Sequence, residues 1–184
     1  MRHQRRGESA AAPALEVLLV GSNLDRERSI VAVLARLLDL ASPLYVSRIM
    51  ETPAVGLIDN GPSFFNLAVA MPWRLPSAAL KRHLNAIEES VGRNRQAVNR
   101  STTSRTADID QVLRLPQNRR TIRPDQLPAE PYARAVVVDL LASMGILDGS
   151  CSIPEYPIVL IPWPATPLGA QATLVSRVAW LRSA

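Results

Sequence analysis

The order of short apolar runs and helix-periodic stretches constrains the fold of this chain more than any other feature. The run LEVLLVG (15–21) is short, branched and ends at glycine, which is typical of a buried strand. After it, Asn23 or Asp25 can cap a helix. Its apolar residues recur at the spacing of one helical face: Ile30, Val33, Leu34, Leu37 and Leu38. This stripe predicts a helix that packs one side against a sheet.

The elements that follow define a fold class. Strands are predicted at about 44–51 and 64–71, where branched and apolar residues alternate with others. A second helix is predicted from 80 to 91 and ends at Gly92, and TADIDQVLRL (106–115) predicts a fourth strand. The order strand, helix, two strands, helix, strand predicts an α+β fold. We expect a ferredoxin-like antiparallel sheet with helices packed on both faces, in three α-β-α layers.

Length and composition predict one domain with a basic arm. The chain has 184 residues, of which 47% are hydrophobic, and this suffices for one ordinary core. Residues 1–13 are basic and then small, so we expect a disordered arm, and residues 14–184 are expected to form a single domain. A third helix is expected from 131 to 144. Within the domain, residues 146–184 are expected to add a strand and an amphipathic helix over 168–181.

Charge and cysteine content limit which partners and which cellular compartment we expect for this protein. The net charge of +5 favours an anionic partner, but aromatic residues make up only 4% of the chain, which argues against RNA binding by an exposed sheet. No stretch has the roughly 18 consecutive apolar residues of a membrane span, and the opening residues lack a signal-peptide core. Cys151 is the single cysteine and cannot form an intrachain disulfide. We therefore expect a cytoplasmic protein with no membrane and no nucleic-acid partner.

Two carboxylates stand one residue apart in the fourth strand. Asp108 and Asp110 would point to the same face, because side chains at i and i+2 of a strand do so. The preceding stretch, residues 93–105, contains no acid but four arginines: Arg93, Arg95, Arg100 and Arg105. Two interpretations remain open. The aspartates are solvated or paired with these arginines, or they hold Mg²⁺ against a polyphosphate that the arginines also bind.

Five landmarks occur in order between about residues 15 and 141. They are VGSNL (20–24), ETPAVG (51–56), FFNLAVAM (64–71), IEESVGR (87–93) and SRTADIDQV (104–112). With these landmarks the chain resembles the 6-hydroxymethyl-7,8-dihydropterin pyrophosphokinase family of folate biosynthesis. The resemblance implies ATP-dependent transfer of pyrophosphate to the hydroxymethyl group of the pterin, or of a related pterin, with release of AMP. No phosphate-binding glycine loop of the Gly-x-x-x-x-Gly-Lys-Ser/Thr type is present, so the triphosphate site would be built from side chains.

The resemblance assigns roles to particular residues. Asp108 and Asp110 would hold two Mg²⁺ ions, and Arg93 and Arg105 would act as catalytic arginines on the phosphates of ATP. The nucleotide would also be bound by Glu88, Arg95 and Arg134. The pterin site would comprise Thr52, Pro53, Val55, Phe64, Asn66 and Val136. In that site the resemblance implies that Phe64 lies beside the ring and that the amide of Asn66 binds its polar edge.

The sequence departs from the family pattern at two of these places. Ala129 stands where the family has a histidine, and Val136 stands where it has a second aromatic residue that stacks on the pterin. The alternative function is therefore a catalytically inactive paralogue that binds pterin or nucleotide. The expected partners are a small-molecule pterin and ATP, and the expected assembly is a monomer or a homodimer.

Overall fold

The computed structural model describes residues 13–54, 61–93, 104–116, 121–149, 151–164 and 166–177. Seven strands and three α-helices lie within these ranges. In chain order they are β1 (Ala14–Ser22), α1 (Arg26–Leu40), β2 (Leu44–Val46), β3 (Ile49–Thr52), β4 (Phe64–Trp73), α2 (Ser77–Ser90), β5 (Asp108–Leu115), α3 (Pro131–Ser143), β6 (Ile158–Val159) and β7 (Thr173–Val175). A short 3₁₀ helix, Pro124–Gln126, precedes α3.

The strands form one antiparallel sheet in the order β5-β1-β4-β2-β7. Strand β3 continues the line of β2, pairing with β4 on one side and with β6 on the other. The predicted strand at 44–51 is interrupted at Ser47, whose hydroxyl accepts a hydrogen bond from the Ala68 N–H at 2.9 Å and so enters the ladder. Counted as one bent strand, β2 and β3 give the order of a ferredoxin-like sheet. The α+β fold class is confirmed.

The two faces of the sheet carry different helices. Leu18 and Val20 of β1 pack in one cluster with α1 and α2, whereas Val17 and Leu19 pack in a second cluster with α3. This alternation follows from the strand period of two residues. The predicted apolar stripe of α1 is buried along its length: Ile30, Val33, Leu34, Leu37 and Leu38. Helices therefore cover both faces, and the core lies in two layers around the sheet.

Helices α2 and α3 end at the predicted glycines, but the predicted side-chain cap at the start of α1 is not formed. Gly92 and Gly145 have φ values of +95° and +67° directly after α2 and α3, as expected of glycines that end helices. Asp25 precedes α1 but makes no side-chain cap hydrogen bond, and its own φ is +47°. Asn23 does not cap the helix either, because its side chain binds other segments, as described below. The predicted side-chain cap of α1 is wrong.

The C-terminal part of the chain extends the sheet. Residues 158–159 form β6, shorter than the predicted strand, and residues 173–175 form β7 against β2. The prediction of a helix beginning at 168 is wrong up to residue 176, because the free edge of β2 offers hydrogen bonds that a strand can satisfy. These pairings support our proposal that residues 14–184 form one domain. The predicted basic arm, up to residue 12, and residues 178–184 lie outside the described residues.

None of the helices in the described ranges has the length and the apolar character needed to cross a membrane.

Candidate active site

One row of residues crosses three strands on the α3 side of the sheet. Gly21 of β1 lies opposite Asn66 of β4 and opposite Asp108 of β5. Two residues earlier on β1, Leu19 lies opposite Asp110. Because directly opposite residues of antiparallel strands share a face, the amide and both carboxylates project to the same side. Asp108 and Asp110 therefore share a face, as the sequence predicts.

A pocket of about 200 Å³ opens above this row. Its wall consists of Leu19, Gly21, Thr52, Pro53, Phe64, Asn66, Arg105, Asp108, Asp110 and Tyr132. Seven of these ten residues are predicted site residues. The wall is drawn from four strands, two connecting segments and α3, which are far apart in the sequence. The fold thus brings the predicted pterin side and the predicted phosphate side to one cavity.

The end of the pocket formed by β3 and β4 holds an oriented amide. Asn66 is 3% exposed, and its Nδ2 donates a hydrogen bond to Thr52 Oγ1 at 2.7 Å. A Cβ atom added to Gly21 would lie 2.6 Å from Asn66 Oδ1, so glycine leaves the space that this amide orientation needs. Phe64 is half-buried on the same face, and its ring centroid lies 5.9 Å from the guanidinium carbon of Arg105. An aromatic surface and a fixed amide therefore stand side by side.

The opposite end of the pocket combines Asp108 and Asp110 with Arg105, and Arg93 bonds to Asp108 from outside the described wall. Asp108 Oδ1 accepts a hydrogen bond from Arg93 Nη1 at 2.5 Å, and Asp108 Oδ2 accepts one from Arg105 Nη1 at 2.7 Å. Burial acts to lower the pKa of Arg93, but the charges of Asp108, Glu88 and Asp110 and the hydrogen bond to Asp108 together outweigh it, so the pKa is raised. Asp110 is exposed and lies 3.4 Å from Lys81 Nζ. Two guanidinium groups thus neutralise one of the two carboxylates.

Glu88 lies behind this end of the pocket and is not part of its described wall. It sits at the end of α2 and is 1% exposed. Its Oε1 accepts hydrogen bonds from Arg93 Nη1 at 2.7 Å and from the Ile109 N–H at 2.6 Å. Glu88 therefore fixes Arg93 and anchors β5 to α2, and its predicted contact with the nucleotide stays a prediction.

The sequence model of the 7,8-dihydro-6-hydroxymethylpterin-pyrophosphokinase family matches residues 17–143. The chain belongs to this family. A comparison with curated proteins gives no significant match. The family match ends at the C-terminus of α3, so β6 and β7 lie beyond it. Members of this family are pyrophosphokinases of folate biosynthesis, and in general they use ATP and Mg²⁺.

The pocket has donors that fit Mg²⁺. Asp108 and Asp110 both line it, and the described residues contain no group of three or more His, Cys, Asp or Glu side chains that could hold a metal ion. Two carboxylates suit Mg²⁺, which keeps several waters and is usually bound by one or two protein carboxylates together with substrate phosphates. Both oxygens of Asp108 are bonded to arginines here, so a metal ion at this carboxylate would compete with those bonds.

Other predicted site residues do not line the described pocket. Arg134 donates hydrogen bonds to the carbonyls of Pro128 and Pro124, at 3.3 and 3.2 Å, and does not line the described pocket. Val136 is fully buried in the cluster between α3 and the sheet, so the pocket does not include it. Arg95 and Val55, predicted for the nucleotide and the pterin, lie outside the described residues.

Tyr132 is a pocket residue that the sequence analysis missed. It is the second residue of α3 and lies four positions before Val136, so it is one helical turn nearer the pocket. Burial, followed by the charges of Glu130, Asp108 and Asp110, raises the pKa of its phenol. An aromatic residue just after the helix-starting Pro131 is the signal that would have indicated it. Tyr132 thus places a second aromatic ring at the pocket, in addition to Phe64, although Val136 stands where the family has its second aromatic residue.

Asn23 is a second missed residue. Its Nδ2 donates hydrogen bonds to the Pro62 carbonyl at 3.2 Å and to Ser104 Oγ at 3.0 Å. Its Oδ1 accepts a hydrogen bond from the Arg105 N–H at 2.7 Å. Because Asn23 is only 2% exposed, these bonds are shielded from water. One buried amide therefore joins the two segments that flank the pocket on the pterin and phosphate sides.

Proposed function

We propose that this protein transfers the terminal pyrophosphate of ATP to the hydroxymethyl group of 6-hydroxymethyl-7,8-dihydropterin, or of a related pterin, and releases AMP. The observation that carries the proposal is one pocket whose floor runs from Asn66 through Gly21 to Asp108. An amide with an aromatic neighbour suits the pterin, and carboxylates with arginines suit a metal-bound triphosphate. In this arrangement the acceptor hydroxyl and the phosphates meet above Gly21.

The pterin would bind at the β3 and β4 end of the pocket. The hydrogen bond from Asn66 Nδ2 to Thr52 fixes the amide, which leaves Oδ1 as an acceptor for an N–H group on the edge of the pterin. Phe64 and Tyr132 both line the pocket and would contact the ring. Aromatic stacking contributes about 0.5–1.5 kcal/mol beyond the burial of apolar area. We therefore assign to Tyr132 the aromatic contact that Val136 cannot make.

The phosphates would bind at the β5 end. Asp108 and Asp110 would hold Mg²⁺, which supplies neutralising charge to phosphate oxygens when it is bound. Arg93 and Arg105 would leave Asp108 and donate charge-assisted hydrogen bonds to the phosphates. Phosphoryl transfer needs mainly positioning and charge stabilisation from a protein, so a general base is not required.

The proposal is tested with purified protein, Mg²⁺, ATP and 6-hydroxymethyl-7,8-dihydropterin, with AMP as the measured product. We expect pterin-dependent AMP formation, and we expect Asp108→Ala and Asp110→Ala each to abolish it. Asp148→Ala is the matched control, because Asp148 is exposed and lies outside the pocket. AMP formation by the Asp108→Ala, Asp110→Ala double variant would contradict the metal assignment.

A catalytically inactive binding protein is the second candidate, and one observation favours it. Ala129 replaces the family histidine at an exposed position just before α3. Calorimetry that shows binding of pterin or of a non-hydrolysable ATP analogue, without any AMP formation from ATP, would support this alternative. The cytoplasmic location and the monomer or homodimer expected from the sequence remain predictions under either function.

A further inference from the structure

A cluster of four residues on the back of the sheet joins both ends of the segment between β3 and β4. Arg26, the first residue of α1, donates from Nη1 to Glu51 Oε1 at 2.8 Å, to Ser63 Oγ at 2.7 Å and to the Ser63 carbonyl at 3.2 Å. The Ser63 hydroxyl also donates to Glu51. The guanidinium carbon of Arg26 lies 3.9 Å from the centroid of the Phe65 ring. We call Arg26, Glu51, Ser63 and Phe65 the Arg26 cluster.

The Arg26 cluster and the pocket lie on opposite faces of the same two strands. Glu51 is opposite Phe65 in the register of β3 and β4, and the next pair, Thr52 and Phe64, lines the pocket. Because successive residues of a strand point to opposite faces, the cluster contacts the reverse side of the pair that lines the pocket. Arg26 itself is not part of the pocket wall. It can influence the pocket only through the strands.

The chemistry of the cluster requires an arginine. A guanidinium group donates several hydrogen bonds in fixed directions while it stacks on an aromatic ring, and a lysine ammonium cannot match both contacts. The hydrogen bond from Ser63, followed by that from Arg26, lowers the pKa of Glu51, so its carboxylate stays charged at neutral pH. Glu51 is the next-to-last residue of β3 and Ser63 directly precedes β4. The cluster therefore closes the base of the connecting segment 53–63.

We propose that Arg26 is a positioning residue for the pterin side of the active site. It holds β3 and β4 at the separation at which Asn66 can bond to Thr52 and present Oδ1 to the pterin. This inference rests on the proposed function for the identity of the ligand. It predicts an effect on the pterin that is not shared by ATP, because the Arg26 cluster lies away from the aspartates of β5.

The test compares Arg26→Met with Arg28→Met. Both variants remove one arginine from the first turn of α1, but Arg28 is exposed and is not part of the Arg26 cluster. For Arg26→Met we expect KM and Kd for 6-hydroxymethyl-7,8-dihydropterin to rise about tenfold. The KM for ATP should stay within about twofold and Arg28→Met should resemble the wild type. Arg26→Lys should not restore pterin binding. Equal weakening of both substrates, or no change in pterin binding, would overturn the inference.

Hydrogen exchange without ligands separates this inference from the proposed function. Arg26→Met should speed the exchange of backbone amides in 49–52 and 64–66 relative to Arg28→Met, with α2 unchanged as an internal reference. Unchanged exchange in those strands would overturn the role of Arg26 whatever the protein binds. A wild-type protein that binds no pterin would refute the proposed function and the substrate part of this inference. Even then, faster exchange in the strands of Arg26→Met would support the conclusion that Arg26 stabilises the pairing of β3 with β4.

Discussion

Gly21 is important for the site because it has no Cβ atom. It lies between Asn66 and Asp108 in the sheet, and a Cβ at this position would stand 2.6 Å from Asn66 Oδ1. A contact that short cannot be kept, so one of the two groups must move. The amide can rotate only by giving up its 2.7 Å bond to Thr52. The identity of residue 21 therefore controls the orientation of a side chain on the next strand.

Gly21→Ala should weaken pterin binding about tenfold, because the rotated amide no longer presents its acceptor to the ligand. Asn66→Ala should cause a similar loss, and the double variant should lose no more than either single variant, since both changes remove the same interaction. Calorimetric titration of each variant with the pterin measures these affinities. Additive losses would show that Gly21 acts independently of Asn66.

Tyr132 should contribute an aromatic contact and not an essential hydroxyl. Tyr132→Ala should weaken pterin binding by at least about 0.5–1.5 kcal/mol, or about two- to tenfold, because stacking is lost, and the lost burial of apolar area adds to this. Tyr132→Phe keeps the ring and is the matched control, with expected affinity near that of the wild type. Quenching of pterin fluorescence on titration measures both. A Tyr132→Ala protein that binds pterin as tightly as the wild type would remove this residue from the site.

The sequence predicts those site residues whose position follows from strand geometry. Asp108 and Asp110 share a face because they are two residues apart on a strand. Asn66 lies on the same face because it and Asp108 are both opposite Gly21 in the sheet. Tyr132 could not be assigned in this way, because its approach to the pocket depends on where α3 crosses the sheet. Asn23 could be recognised only as a turn residue, because its partners Pro62 and Ser104 are remote in sequence.

At the scale of elements, the main strands and helices follow from periodicity, but the edge of the sheet does not. The buried stripes of α1 and α2 match the apolar spacing of the sequence, since these helices pack directly on the core. Strand β7 has only three residues, and its formation depends on the unpaired edge of β2. Hydrogen bonds to that edge outweigh the helical periodicity of the segment from 168. Local pattern cannot predict an element that a distant edge stabilises.

Gly169 is the residue that most constrains this C-terminal segment. Its φ is +116°, and a Cβ there would stand 1.8 Å from the Val159 carbonyl oxygen. Its own carbonyl accepts a hydrogen bond from the Ile49 N–H at 3.4 Å. The segment from β6 to β7 can therefore follow the edge of β2 and β3 only with glycine at this position.

Gly169→Ala should lower the free energy of unfolding by about 1–3 kcal/mol, because both the backbone conformation and the close contact oppose a side chain. Gly149→Ala is the matched control. Gly149 also has a positive φ, +81°, but no atom would lie within 4 Å of an added Cβ. Urea unfolding measures both variants, and the excess loss in Gly169→Ala reports the contact with Val159. Equal losses would mean that backbone strain alone is responsible.

At the scale of the whole molecule, one buried acid links the sheet to a helix layer and makes stability depend on pH. Glu16 of β1 is 0% exposed and is bonded to Arg114 of β5 and, at 2.6 Å, to Gln111 Nε2. Gln111 also donates to Ser77 Oγ, at the start of α2, at 3.1 Å. Burial raises the pKa of Glu16 above its usual 4.5, and the opposing charge of Arg114 does not cancel this effect.

Glu16→Gln should therefore change how stability varies with pH. A raised pKa means that the folded protein binds this proton more tightly than the unfolded chain, so its stabilising effect is complete below about pH 4.5 and is lost as pH rises through the folded pKa. Glutamine has no such proton and retains an amide oxygen that can accept hydrogen bonds from Gln111 and Arg114. The free energy of unfolding of the wild type, measured relative to Glu16→Gln by urea unfolding, should thus decrease as pH rises from about 4.5 towards neutrality. If the wild type instead becomes more stable relative to Glu16→Gln over this range, the ion pair with Arg114 outweighs the cost of burying the carboxylate. If the difference in the free energy of unfolding stays constant, the two effects cancel.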